Sequence, residues 1–138
     1  MSDPIELRIH GAIVAALKED AGLTALINGR VFDDVPSRAA FPYVRFGKVD
    51  VRPVRATGVV ADEIAFTIDV YSRAIGSVEG KRVAGAVRSA LDGRTDITLG
   101  GGAYLWRLSW MVATTDKSPD GASPVVTVLF EAGVNGAG

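Results

Sequence analysis

The sequence predicts an α+β domain: a mixed, largely antiparallel β-sheet with two main helices packed on one face. Three observations carry this reading. From Asp62 to Arg73, the side chains Ile64, Phe66, Ile68 and Val70 alternate with Glu63, Ala65, Thr67, Asp69 and Tyr71, the period of two that marks a half-buried strand. A helical pattern follows directly, from Val78 to Asp92. A second long alternation, Tyr104 to Val112, is joined to Val125–Ala132 through Thr115–Pro124, whose Ser-Pro-Asp-Gly run favours a tight turn. Sheets with one wet face are usually antiparallel or mixed, so the pattern argues against a doubly wound enzyme core and toward a recognition module.

In chain order, Asp3 is placed to cap a first helix with Pro4 at its first position and Glu6 closing a capping box. Ile5, Ile9, Ala12, Ile13, Ala16 and Leu17 then form one apolar stripe that stops near Asp20-Ala-Gly22. Leu23–Ile27 adds a further turn ended by Asn28-Gly29, and Val31–Pro36 reads as short and extended. Tyr43–Val51 is a strand with Pro42 tolerated only at its start. Pro53 and Gly58 break pairing, so Arg52–Ala61 reads as a long hairpin loop. Ser77 can cap the next helix, whose inner face is Val83, Ala86, Val87, Ala90 and Leu91 and whose end is Gly93. Ile97–Leu99 reads as a short strand and Gly100-Gly-Gly102 as a turn. The expected organisation is a single domain over residues 1–132, with 133–138 a flexible C-terminal tail.

With 138 residues, 48% apolar and 22% charged, the chain has ordinary globular proportions and enough length for one core without a metal or disulfide staple. Fifteen Lys and Arg against 16 Asp and Glu leave a formal charge of −1, so no global positive field is available to hold nucleic acid. Cysteine is absent, which removes disulfides, thiolate metal sites and a thiol nucleophile. The start of the chain lacks the basic, apolar pattern of a secretory signal, and no apolar run reaches membrane-span length; synthesis in the cytoplasm is expected, with no membrane partner.

The chemical inventory is thin. His10 is the one histidine, early on the first helix, and reads as a surface or interface residue. Asp33 and Asp34, adjacent in an extended segment, point to opposite sides and read as solvated carboxylates rather than cation ligands. The glycine run lacks the Lys-Ser/Thr pair and the helix of a phosphate loop. Trp106 and Trp110 share the spacing of a stacking platform, but core packing explains it more simply. No catalytic, cofactor or metal residue is expected. The sharper feature is a run of cations, Arg38, Arg45, Lys48, Arg52 and Arg55, broken by a single carboxylate, Asp50. Strict alternation puts Arg45 on one face and Lys48 and Arg52 on the other; they form either a solvated sheet face or a charged contact surface. Arg45, Lys48, Arg52 and Arg55 are the candidate partner-contact residues.

The succession Ala-Gly-Leu-Thr-Ala-Leu-Ile-Asn-Gly-Arg-Val-Phe-Asp-Asp-Val-Pro (21–36), Phe-Pro-Tyr-Val-Arg-Phe-Gly (41–47), a Thr-Gly loop and Phe-Thr-Ile-Asp-Val-Tyr-Ser-Arg (66–73) resembles the tail terminator, or tail-completion, proteins of long-tailed phages and gene transfer agents. The resemblance covers almost the whole chain and rests on the order and spacing of these pieces. It implies a tail-terminator-like fold and a non-enzymatic virion protein that assembles as a homo-hexameric ring on the head-proximal end of the tail tube. Such a ring ends tube polymerisation and joins the tail to the neck. Implied partners are other copies of the chain, the tail tube protein and a neck stopper or adaptor protein, with passing DNA touched weakly and without sequence preference. The implied place is the tail–neck junction of a particle assembled in a bacterial cytoplasm. The alternatives are a head–tail connector or stopper of the same neck, a small nucleic-acid-binding module and, weakest, a small hydrolase.

Overall fold

Apolar side chains three and four residues apart give the first helix its buried stripe. In the computed structural model, which describes residues 3–55, 57–58, 60–73, 78–117 and 124–135, helix α1 (Ile5–Glu19) buries Ile9, Ile13, Ala16 and Leu17. Its N-cap is Pro4, whose carbonyl accepts from the amides of Leu7 and Arg8, and among the described residues no side chain caps the first turn. The helix therefore starts one residue too late for the expected Asp3 capping box. Helix α2 (Ala21–Ile27) is capped by the Asp20 carboxylate, which accepts from the Leu23 amide at 2.8 Å. Asn28 and Gly29, at φ 53° and 75°, stop it in the left-handed region.

The rest of the chain supplies β1 (Val31–Phe32), β2 (Tyr43–Pro53), β3 (Ala61–Tyr71), helix α3 (Val78–Leu91), β4 (Tyr104–Lys117) and β5 (Pro124–Asn135). The sheet order is β1-β2-β3-β5-β4. Among the described residues only the short β1 runs parallel to its neighbour; the other pairings are antiparallel. This is the mixed, mostly antiparallel α+β arrangement anticipated from the alternation in β3. Ile64, Phe66, Ile68 and Val70 are all at most 1% exposed and share one core with the buried faces of α1, α2 and α3. Through this core runs a row of stacked rings: His10 on Phe46, Phe46 on Phe66 at 5.4 Å and Phe66 on Phe130 at 5.5 Å, tying α1 to three strands.

Several boundaries differ from the sequence reading. Arg52 and Pro53 pair with Glu63 and Asp62 inside the β2–β3 ladder, so the hairpin loop is shorter than Arg52–Ala61. Ile97 and Leu99 are buried, but this segment contributes only an isolated bridge, Thr98 to Tyr104. Gly133 to Asn135 belong to β5, and Val134 is fully buried against the core, so the chain stays in the fold past the expected boundary at 133. The cap at Ser77 and the turn at Ser118–Gly121 lie outside the described residues, as do 136–138.

The largest departures are register slips. The β2–β3 ladder passes from Phe46↔Ile68 to Val49↔Phe66, three steps on β2 against two on β3, which is a β-bulge at Gly47 and Lys48. It keeps Val49 and Val51 on the core side and turns Asp50 and Arg52 outward with Arg45. Strand β4 slips twice, between Leu105 and Arg107 and between Trp110 and Val112. Tyr104, Trp106, Leu108, Trp110 and Val112 consequently do not share a face. Leu105 and Leu108 are buried and Trp110 packs partly against the core, whereas Trp106 is 44% exposed and lies over Gly133 on the outer face.

Candidate partner-contact surfaces

The outer sheet face is assembled from every second residue of four strands. From β2 come Tyr43, Arg45, Lys48, Asp50 and Arg52; across the ladder β3 presents Tyr71, Asp69, Thr67, Ala65 and Glu63. Because of the bulge, Arg45, Lys48 and Arg52 stand on one face, contrary to the split that strict alternation gives. The cue for this in the sequence is Gly47, an isolated glycine within a strand pattern.

Two of the five cations in the run, Arg45 and Arg52, are paired with carboxylates once folded. Arg45 donates to Asp69 at 2.8 Å and its guanidinium lies 5.7 Å from the Tyr71 ring centre. The hydrogen bond to Asp69 pushes the Arg45 pKa up, so this charge is permanent and already matched. Arg52 reaches Asp50 at 3.2 Å and stands opposite Glu63. Further across the sheet, Arg107 lies 3.8 Å from Glu131. These groups surround a notch of about 130 Å³ floored by Ala65 and lined by Asp50, Arg52, Glu63, Arg107 and Glu131. The Arg52–Asp50 pair is solvent-exposed and the Arg107–Glu131 pair half-exposed and long, so each contributes roughly 0–1 kcal/mol to stability. Lys48 and Arg55 are exposed, Arg55 in the turn between β2 and β3, and Arg38 is exposed in the connector at φ 66°. The structure thus brings Arg45, Lys48 and Arg52 together and leaves Arg55 and Arg38 apart from them.

The remaining chemistry-bearing residues make contacts within the fold. The His10 ring stacks on Phe46 and its Nε2 meets the Asp33 carboxylate, linking α1 to the segment after β1. Asp33 is exposed, as expected, and is also a partner of His10; alternation along the sequence carries no sign of a contact 23 positions away. Trp110 is capped by the Arg88 guanidinium, 3.9 Å from its ring centre. Among the described residues no group of three or more His, Cys, Asp or Glu is placed to hold a metal ion. No helix among them is long and apolar enough to cross a membrane.

The two sheet edges are unequal. On the open side of β4, the Leu108 carbonyl accepts from the Gly93 amide at 2.8 Å and the Trp110 amide donates to the Asp92 carboxylate at 2.9 Å, so the turn after α3 covers this part of the edge. From Met111 to Lys117 every residue is exposed. On the opposite side, β1 covers only Val44 and Arg45 of β2.

The fold is a small α+β domain whose exposed features are a sheet face bearing paired charges, a hairpin carrying Arg55 and a partly uncovered strand edge. The profile of the family described as "Tail completion protein gp17" matches residues 11–135, and the chain belongs to this family. Its structure is similar to a chain from the "Virion of native gene transfer agent (GTA) particle", with a TM-score of 0.88 and 29% sequence identity over 98% of this chain and 100% of that one. No curated protein sequence matches the chain. The family is one of structural tail proteins, and this membership gives the chain a structural role in a tail or particle.

Proposed function

We propose that this protein forms a ring, six-membered by resemblance, that caps the head-proximal end of a tail tube, ends tube polymerisation and joins the tail to the neck. The observation that carries this reading is the match to tail completion proteins over residues 11–135, supported by likeness to a gene transfer agent virion component along nearly the whole chain. A ring needs a head-to-tail interface whose rotation closes, and closure itself limits growth. Termination further requires that one ring face accept the last tube subunit while the other refuses another.

The hairpin between β2 and β3 is the proposed axial contact. Arg55 projects from its turn, and Arg52 anchors its base. Arg45, engaged with Asp69, is placed at the periphery of this surface. Deleting the chain is expected to yield tails of unregulated length and no gene-delivering particles, with restoration by the intact chain and not by one carrying Arg52→Glu and Arg55→Glu together. Normal tail lengths and delivery without the chain overturn the reading; normal assembly with the charge-reversed chain removes the hairpin from it. Cross-linking to tube protein separates a terminator from a neck connector, which would instead capture an adaptor.

A further inference from the structure

We propose that the uncovered half of β4 pairs, antiparallel, with the uncovered half of β2 on a second copy of this chain. The inference rests on the ring reading above and names the surfaces that close it. Three observations point to a second copy as the occupant.

The first is polarity. β2, β3, β5 and β4 succeed one another antiparallel, so β4 runs opposite to β2. A copy brought alongside head to tail therefore sets its β2 antiparallel to β4 and continues the sheet without reversal. The second is that each end of the sheet offers a matching length of free backbone. β4 is covered at Leu108 and Trp110 by Gly93 and Asp92 and is open from Met111 to Asp116, the Lys117 amide donating to the Asp116 carboxylate; β2 is covered by β1 only at Val44 and Arg45, leaving Lys48–Pro53 without a strand on that side among the described residues. One heterologous contact satisfies both sets of unpaired backbone groups.

The third is side-chain complementarity. Antiparallel pairing that sets Thr114 opposite Asp50 also sets Asp116 opposite Lys48 on the outer face and Ala113 and Thr115 opposite Val51 and Val49 on the helix side. Asp116 and Lys48 are both exposed and opposite in charge. Val49 and Val51 are the core-side residues of β2 that remain only partly covered, and the small Ala113 and Thr115 leave room for them. No like charges meet in this register.

The chain contains no cysteine, which makes disulfide trapping clean. Within one chain Asp50 and Thr114 lie three strand spacings apart across the sheet, about 14 Å, and are further offset along the strands because Asp50 is level with Ser109, well beyond the reach of a disulfide. Particles assembled with the Asp50→Cys/Thr114→Cys chain are expected, on mild oxidation, to give a ladder at multiples of 14.4 kDa, with the chain carrying Thr114→Cys alone remaining monomeric. A chain that is present in the particles yet stays monomeric after oxidation overturns the pairing while leaving the proposed function standing, because incorporation is read on the same gel. Dimers from Thr114→Cys alone indicate a two-fold β4–β4 contact and also overturn it. A charge swap tests the register without relying on disulfide geometry. Asp116→Lys and Lys48→Asp should each lower incorporation at least threefold, and the two together should restore it; a double variant no better than either single one overturns the register.

Discussion

Gly47→Ala tests whether one missing Cβ holds the outer sheet face together. The bulge presents Gly47 toward β3 so closely that a Cβ there would collide with Thr67 Oγ1 and sit 2.9 Å from Asp69 Oδ2. Two contacts depend on that space: the Lys48 amide donates to Thr67 Oγ1 at 3.0 Å, and Arg45 donates to Asp69 at 2.8 Å. Forcing a methyl into a packed position costs about 1–3 kcal/mol, and losing the amide–hydroxyl bond costs about 1 kcal/mol more. The expected destabilisation is therefore about 2–4 kcal/mol, read as a lower urea midpoint with an unchanged slope by tryptophan fluorescence. Thr67→Ala alone removes the same bond without a clash and should cost about 1 kcal/mol. In the double variant the hydroxyl is gone before the methyl arrives, so the combined loss should fall below the sum by about 1–3 kcal/mol. Strict additivity of the two substitutions would refute the close-approach argument for Gly47.

Phe66→Ala removes the middle of the ring row between Phe46 and Phe130 at a position only 1% exposed, and should cost about 3–5 kcal/mol in the same urea titration. Tyr43 gives an alkaline signature. Burial, reinforced by Tyr71 and opposed by Arg45 and Arg73, raises its pKa above the ordinary 10.0. The folded state thus favours the neutral phenol, and its contribution is intact below about pH 10 and lost as pH rises through the folded value. Tyr43→Phe should lessen the fall in urea midpoint between pH 8 and pH 10.5, measured against the parent chain.

How much was legible in the sequence differs element by element. The stripe Ile9, Ile13, Ala16 and Leu17 and the alternation through Ile64, Phe66, Ile68 and Val70 specify α1 and β3 because burying one face requires that period whatever lies opposite. The Asn28-Gly29 pair similarly marks the end of α2 by backbone conformation alone, whereas Asp20, legible as the stop of the first stripe, proves also to cap α2. The faces of β2 and β4 were less legible, since alternation is carried forward only until a bulge inserts an extra residue, and each bulge is set by what the neighbouring strand presents.

From the amino-acid order alone came the α+β class, the helices, the long strands and the thin chemical inventory, all properties of local periodicity and residue type, and the resemblance to tail completion proteins, which rests on the order and spacing of short motifs. Only the tertiary structure decided that Arg45, Lys48 and Arg52 share a face with Asp69 and Glu63, that Trp106 leaves the core to cover Gly133, and that β4 is capped as far as Trp110 and bare beyond it. The reason is that charge pairing, face and edge exposure are relations between strands distant in sequence, created when the sheet takes its register.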